Sequence, residues 1–327
     1  MKVRTEYRPG VMKVPITPLV VALALFSSAA NADDTSTPWV GESSAKSRLI
    51  VESYQFVGAG DLRAGIQIKL APGWWTYWRM PGSSGMPPRF DWSGSTNLAA
   101  DPELVWPIPR RAVTFHESLN TYRDEVVFPI EVRPADPTKP IELRLRLAFA
   151  ICKDICIPVV AEHRLTLTPS SDTPATDPDN AALISAYTAR APSPDPLASG
   201  LSIREVRAVR DGRNAALDIK VTGLSERRRP VVLIEGPAFI RAADGEAKPT
   251  GDLGAWTVRV GLGPATQLNT LSGRRIRITL IDEGRALEQI WVVGVTGSST
   301  AGLGLTPISH RLLDPPEPTA LSLVSFQ

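Results

Sequence analysis

The chain has 327 residues with 36 Lys and Arg against 34 Asp and Glu, and its formal net charge of +2 excludes the strongly basic surface of a nucleic-acid-binding protein. Thirty Pro and 24 Gly disfavour a helical bundle and favour short strands joined by turns. Two cysteines are too few for a disulfide-rich scaffold or a four-thiolate zinc site, but they suffice for one redox pair. The length predicts two domains.

Residues 1–32 have the layout of a secretory signal peptide. Basic residues precede the apolar run Leu19–Phe26, and Ala30–Ala32 supplies a small-residue cleavage site. Met12 is an alternative start, because the chain from there has the same layout. The apolar run is far shorter than the roughly 20 residues that span a bilayer. We therefore expect an exported, soluble periplasmic protein with no stable membrane insertion, which begins at Asp33 and works in an oxidising compartment.

Residues 47–168 are predicted to form a β-sandwich. Apolar and polar residues alternate in Ile66–Leu70, Ile141–Leu147 and His163–Leu167, as in strands that bury one face. Pro and Gly separate these runs, and several short strands at this spacing are typical of a sandwich. His163 is predicted to be a surface imidazole.

The composition changes after this segment. Residues 169–200 are rich in Pro and predict an interdomain linker with a helix over Asp179–Arg190, N-capped by Asp177 or Asp179. Residues 201–296 predict a second sandwich, so the expected fold class is all-β with two tandem sandwiches. Residues 297–327 are expected to form a flexible tail. The candidate strands of the second sandwich are Ile203–Val209, Ala215–Val221, Val231–Ile234, Trp256–Val260, Ile276–Ile281 and Ile290–Val293.

The two cysteines are separated by three residues. Residues four apart in a continuous strand are about 13 Å apart, whereas a disulfide needs Cα atoms about 4.4–6.8 Å apart. Cys152 and Cys156 can therefore bond only if Lys153–Ile155 makes a tight turn between two strands. A disulfide closing so small a loop adds only about 2 kcal/mol of stability, which is a weak reason for a structural staple. The spacing alone leaves both a staple and a redox pair open.

Four segments occur in the order Gly73–Trp78, Pro81–Gly85, Tyr122–Pro129 and Cys152–Pro158. Together they resemble the periplasmic N-terminal domain of DsbD-type thiol:disulfide interchange proteins, and within that family the ScsB branch. The resemblance covers about residues 47–168 and implies an immunoglobulin-like fold. It also implies that the cysteine pair passes electrons to or from thioredoxin-like periplasmic proteins. Because the chain carries neither the family's membrane domain nor its thioredoxin-like domain, we expect a separate membrane-embedded electron donor.

The resemblance also assigns roles to individual residues. Cys152 and Cys156 become the exchanging pair, and the family's pattern favours the second cysteine as the one that contacts the partner. Lys153, Asp154 and Pro158 are expected to shape the turn.

Members of this family shield the cysteine pair with a cap loop of acidic and aromatic residues. The corresponding stretch, Thr114–Ser118, is shorter here and matches poorly. Phe115, Glu117 and Tyr122 are the candidates for shielding.

A dense aromatic cluster follows Gly73. Alternation in a strand places Trp74 and Trp78 on one face and Trp75 and Tyr77 on the other. The cluster could form a sugar-stacking platform of a carbohydrate-binding sandwich, but packing in a sandwich explains it more simply.

No cofactor or metal is predicted. Met80 and Met86 could act as soft copper ligands, although two thioethers without a nearby His are more often apolar filler.

The alternative from another functional class is a non-catalytic interaction protein whose disulfide pins a hairpin. The sequence thus predicts a thiol–disulfide exchange protein, with these alternatives open.

Overall fold

A computed structural model describes residues 35–58, 60–82, 84–114, 117–171, 176–225, 229–237, 245–251, 254–263, 266–294 and 303–308. The predicted signal peptide, residues 1–32, lies outside these ranges. Within them, no helix combines the length and the apolar character that a membrane span requires. The described strands form three sheets, which confirms the predicted all-β class.

The first twelve strands form a sandwich of two sheets. One sheet has the strand order β1-β2-β4-β10-β7, and the other has the order β3-β12-β11-β5-β9-β8, with β6 paired to β11. The strands are β1 Val40–Gly41, β2 Ala45–Val51, β3 Gln55–Phe56, β4 Leu62–Leu70, β5 Trp75–Gly82, β6 Arg89–Asp91, β7 Glu103–Leu104, β8 Arg110–Thr114, β9 Glu117–Arg123, β10 Glu125–Val132, β11 Ile141–Cys152 and β12 Cys156–Pro169.

The alternating runs of the sequence produce the core between these sheets. Ile66 on β4 and Phe128 on β10 come from one sheet, and Leu145 and Phe149 on β11 come from the other. All four side chains are almost fully buried in one hydrophobic cluster. Burial of apolar surface at about 25 cal/mol per Å² is the main force that holds the two sheets together.

The Pro-rich stretch after β12 contains two helices, α1 Pro178–Thr188 and α2 Pro196–Ser199. Asp177 caps α1, because its carboxylate accepts hydrogen bonds from the first backbone N–H groups of the helix. Ile184 and Tyr187 are buried against the core of the first sandwich. The predicted helix is therefore present, and it packs on the sandwich.

The remaining eight strands have the order β15-β18-β19-β20-β13-β14-β17-β16. All six strands predicted in this block are present. The strands are β13 Ser202–Asp211, β14 Asn214–Thr222, β15 Val231–Glu235, β16 Glu246–Pro249, β17 Trp256–Gly261, β18 Arg275–Asp282, β19 Arg285–Val293 and β20 Leu303–Ile308, with a 3₁₀ turn at Leu268–Leu271.

Strand β20 corrects the expectation of a flexible tail for residues 297–327. It pairs with β13 at one end and with β19 at the other, so it joins the two halves of the second sandwich. Leu303 and Leu305 point into the core of this sandwich, and this burial explains why the segment is ordered. Residues 297–302 and 309–327 of the predicted tail lie outside the described residues.

The two sandwiches share apolar contacts. Leu233 on β15 is 3% exposed and belongs to the core cluster of the first sandwich, and Val231 and Ile281 pack against the same cluster. The second sandwich is therefore packed directly on the first.

His163 corrects another expectation, because it is buried and not a surface imidazole. The segment before β2 covers this part of β12, and the His163 Nε2 atom lies 2.9 Å from Ser47 Oγ. The Nδ1 atom lies 3.3 Å from Thr37 Oγ1. Burial lowers the pKa of His163 to about 4, so the imidazole is neutral in the folded protein at neutral pH.

Acidification from pH 7 to pH 4 is expected to destabilise the fold through this residue. The unfolded chain binds a proton at His163 near pH 6.5, whereas the folded protein resists protonation until about pH 4, so stability falls between these values. The free energy of unfolding, measured with urea, should fall between pH 7 and pH 4 in both proteins. We expect this fall to be about 2 kcal/mol smaller for His163→Gln than for the wild type. Equal losses would exclude His163 as the source.

Candidate functional site

The cysteines face each other at the end of a β-hairpin. Cys152 is the last residue of β11 and Cys156 the first of β12, and the two are directly paired in the ladder. They form a disulfide with an S–S distance of 2.04 Å and a Cα–Cα distance of 4.1 Å. Lys153–Ile155 makes the turn, in which the Lys153 N–H donates to the Ile155 carbonyl at 3.1 Å. The predicted tight turn is confirmed.

The two cysteines differ in exposure. Cys152 is 1% exposed, whereas Cys156 belongs to the exposed residues, as do Lys153, Asp154 and Pro158 of the hairpin end. A reagent from solution therefore approaches the disulfide from the Cys156 side.

Cys152 lies in a small apolar cluster that is separate from the main core, with Met86 packed at its margin. Tyr77 is the polar member of this cluster, and its hydroxyl oxygen lies 3.0 Å from Cys152 Sγ and 3.7 Å from Cys156 Sγ. The hydroxyl is thus positioned to donate a hydrogen bond to either sulfur. The buried members of the cluster are Trp75, Tyr77, Leu119, Ala150 and Cys152.

The predicted alternation along β5 is confirmed. Trp74 and Trp78 pack on the main core, and Trp75 and Tyr77 belong to the cluster around Cys152. Trp75, Tyr77 and Trp78 are at most 7% exposed, so their ring faces are closed to a sugar. This burial argues against the carbohydrate-binding alternative at these residues.

Two glycines of the sequence motifs lie where the backbone passes close to side chains of the cysteine site. Gly85 has φ +114°, and a Cβ atom there would lie 2.4 Å from the Tyr77 ring. Gly73 has φ +85°, and a Cβ atom there would lie 3.2 Å from Cε of Lys153. Both glycines therefore bring backbone against residues of the cysteine site.

Tyr122 does not shield the disulfide. It is paired with Thr76 in the β5–β9 ladder, so it shares the face of β5 that points to the main core. It packs edge-on against Phe128, and its hydroxyl donates to the Pro107 carbonyl at 2.6 Å. The tyrosine that reaches the sulfurs is Tyr77.

The other two shielding candidates are not placed by the structure. Phe115 lies outside the described residues, and so does the side chain of Glu117.

Tyr77 was missed as a site residue, although a signal for it exists in the sequence. It lies two residues after Trp75 on the face of β5 opposite the core, and Trp75 is the direct ladder partner of Cys152. The sequence predicted which side chains of β5 share a face, but it did not predict that β5 pairs with the strand that carries Cys152.

Tyr77→Phe is expected to slow the reactions in which Cys152 becomes a thiolate. A hydrogen bond to a charged group contributes about 1.5–3 kcal/mol, so the reduction of the disulfide by dithiothreitol should slow by roughly tenfold or more. Stopped-flow reduction kinetics measure this, with Tyr122→Phe as the matched control because its hydroxyl bonds Pro107. Equal rates for wild type and Tyr77→Phe would show that the hydroxyl does not act on the leaving sulfur.

Comparison with protein families gives a match to a segment that contains both cysteines. The family described as "Thiol:disulfide interchange protein DsbD, N-terminal" matches residues 47–168. None of the curated protein sequences compared with the chain matches it significantly.

Comparison with solved structures extends beyond that segment. The crystal structure of the N-terminal periplasmic domain of ScsB from Proteus mirabilis matches with a TM-score of 0.60 and 21% identity, covering 80% of this chain and 100% of that chain. At this identity the match shows a shared fold. A structure described as BspA_C_WT matches with a TM-score of only 0.13 and 7% identity, covering 72% of this chain and 92% of that chain, and carries no argument.

Proposed function

Residues 47–168 form a domain of the DsbD N-terminal type, and on that premise we propose that this protein is a thiol:disulfide interchange protein. The observation that carries the proposal is the hairpin disulfide with one exposed and one buried cysteine. An exposed sulfur is accessible to attack by a thiolate of another protein, and a second sulfur beside it can resolve the mixed disulfide. The catalytic residues in this proposal are Cys152 and Cys156.

The exchange begins with the oxidised protein. A thiolate of an electron donor attacks the sulfur of Cys156, the Cys152–Cys156 bond breaks, and its electron pair stays on Cys152 as a thiolate. A second thiolate of the donor then attacks the donor sulfur of the mixed disulfide. This step releases Cys156 as a thiolate and the donor as a disulfide, so two electrons have moved to this protein.

Transfer to an acceptor follows the same chemistry in the other direction. The Cys156 thiolate attacks the acceptor's disulfide, and Cys152 then attacks Cys156 Sγ in the mixed disulfide. The acceptor leaves as a dithiol once its thiolates take up protons, and the Cys152–Cys156 disulfide is restored. The Tyr77 hydroxyl, which lies 3.0 Å from Cys152 Sγ in the disulfide, is positioned to donate a hydrogen bond when that sulfur becomes a thiolate.

The surface around Cys156 suits a transient protein partner. Ile155 and Ile157, which flank Cys156, are 66% and 36% exposed, and Val160 on the same strand is 53% exposed. Exposed apolar side chains grouped around a reactive atom are typical of an interaction surface. The partners in this proposal are thioredoxin-like periplasmic proteins and a separate membrane-embedded electron donor.

The proposed location is the periplasm. The predicted signal peptide supports export, and the similar structure from Proteus mirabilis is a periplasmic domain. A thiol-exchange pair in that compartment needs an external supply of electrons, because the surroundings are oxidising.

Trapping of a mixed disulfide tests the proposal. Cys152→Ser retains the exposed Cys156 but cannot resolve the mixed disulfide, so it should accumulate dithiothreitol-sensitive complexes with a thioredoxin-like protein in a periplasmic extract. Cys156→Ser is the matched control and should form few complexes, because Cys152 is buried. If neither variant is trapped, or both are trapped equally, the pair acts as a structural staple and the exchange function is wrong.

A further inference from the structure

A partly buried ion cluster joins strand β5 to the second sandwich. The Arg79 guanidinium donates to both carboxylate oxygens of Glu235 at 2.8–3.1 Å and also contacts the Glu288 carboxylate. Glu235 lies at the end of β15 and Glu288 lies in β19. The Arg79 side chain is 14% exposed and the two glutamates are 22% and 13% exposed. Arg79 therefore connects the strand of Tyr77 to two strands of the second sandwich.

The charges in this cluster compensate each other. Burial alone opposes the charged form of Arg79, but Glu235 and Glu288 outweigh it and raise the pKa of the guanidinium above its usual value. Burial likewise opposes ionisation of Glu288, and Arg79 with Arg277 outweighs it and lowers the pKa of that carboxyl. The guanidinium also stacks on the Trp78 ring, 4.2 Å from its centroid. Arg79 and Glu288 are thus both charged at neutral pH, which makes the connection strong and directional.

Arg79 lies where the backbone of β5 leaves the regular ladder. Tyr77 is paired with Thr121 on β9, but the next pair joins Gly82 to Leu119. Between these two pairs the chain advances by five residues in β5 but by only two residues in β9, an irregularity of the β-bulge kind. Side-chain contacts must position this irregular stretch, and the bonds of Arg79 are the charged contacts among them.

The chain after Arg79 returns over the cysteine site. We call residues 79–82 and 84–86 the covering segment. Gly82 packs closely on the Ser118 carbonyl, Gly85 lies against the Tyr77 ring, and Met86 packs on the cluster that contains Cys152. One end of the covering segment is thus bound to the second sandwich, and the other end closes over Tyr77 and Cys152.

We propose that Glu235 and Glu288 of the second sandwich, acting through Arg79, position the covering segment and thereby limit access to Cys152. The proposal rests on the exchange function and gives the second sandwich a role in it. Arg79 is a positioning residue, since it acts on the sulfurs through the covering segment and Tyr77. Weakening its bonds loosens the segment, and local opening then exposes the buried sulfur.

The test measures the access of a small reagent to Cys152. In a Cys156→Ser background, the variant Glu235→Gln/Glu288→Gln should react with iodoacetamide at Cys152 about tenfold faster than the parent. Asp218→Asn is the matched control, because Asp218 accepts two hydrogen bonds from Arg259 within the second sandwich. Its alkylation rate should equal that of the parent.

A second variant keeps the test decisive if the double glutamine variant does not fold. Arg79→Lys retains the charge but loses the two-pronged contact with Glu235, so Cys152 should be alkylated faster than in the parent. If either folded variant unfolds at lower temperature but alkylates Cys152 at the parental rate, the cluster is merely structural and the proposal is overturned. Failure of the exchange function has another signature, the absence of trapped partners, because iodoacetamide needs no partner protein.

Discussion

In the reduced protein, Cys156 is expected to react with iodoacetamide at least about 100-fold faster than Cys152. Cys156 is exposed at the start of β12, whereas Cys152 is 1% exposed and reacts only when the cluster around it opens. Quenched alkylation followed by mass spectrometry of the peptides gives both rates in one experiment.

The unfolded protein is the control for this asymmetry. Urea at about 8 M unfolds most domains. Under this condition the two cysteines should react at similar rates, because burial no longer distinguishes them. Similar rates in the folded protein, or faster reaction of Cys152, would contradict the assignment of Cys156 as the sulfur that meets the partner.

Arg79→Met is expected to lower the free energy of unfolding by about 3–5 kcal/mol. The substitution removes the cation bound to Glu235 and leaves partly buried Glu288 with Arg277 as its neighbouring cation, and breaking a desolvated ion pair from one side has a cost of this size. Denaturation with urea measures the change. The triple variant Arg79→Met/Glu235→Gln/Glu288→Gln should recover part of the loss, since it removes the two negative charges.

Arg259→Met is the matched control for this loss. Arg259 also makes a two-pronged bond, to Asp218, but its side chain is 52% exposed and the pair is therefore expected to contribute about 0–1 kcal/mol. A loss for Arg79→Met as small as that for Arg259→Met would show that the ion cluster does not hold the sandwiches together.

The sequence predicted those features that depend on neighbours along the chain. Alternation located parts of β4, β11 and β12, because a strand with one buried face repeats every two residues. The turn at Lys153–Ile155 followed from chain geometry alone, since a disulfide across three residues forces a hairpin. The helix after Asp177 followed from its capping residue.

The features that were missed depend on contacts between distant parts of the chain. His163 shares the buried face of β12 with Leu165 and Leu167, but its polar partners Thr37 and Ser47 lie 126 and 116 positions away, which no local pattern indicates. Strand β20 was predicted to be part of a flexible tail because the chain from Gly297 is rich in Gly, Ser and Pro, whereas its pairing partners β13 and β19 precede it in the chain. Arg79 is bonded to residues 156 and 209 positions away, which no local pattern reveals.

The choice between Tyr122 and Tyr77 shows the same limit within the site. Both tyrosines are aromatic, both lie in conspicuous motifs, and adjacent strands carry them. Only the register of β5 against β9 and β11 decides which one faces the sulfurs. That register is a property of the assembled sheet.

The reduction potential of the Cys152–Cys156 pair tests the central claim most directly. It is obtained by equilibrating the purified protein with glutathione buffers of known ratio and quantifying the reduced fraction after acid quench. An exchange pair should lie within the range of known exchange proteins, from about −120 to −270 mV. A value below about −300 mV would identify a structural disulfide and contradict the exchange function.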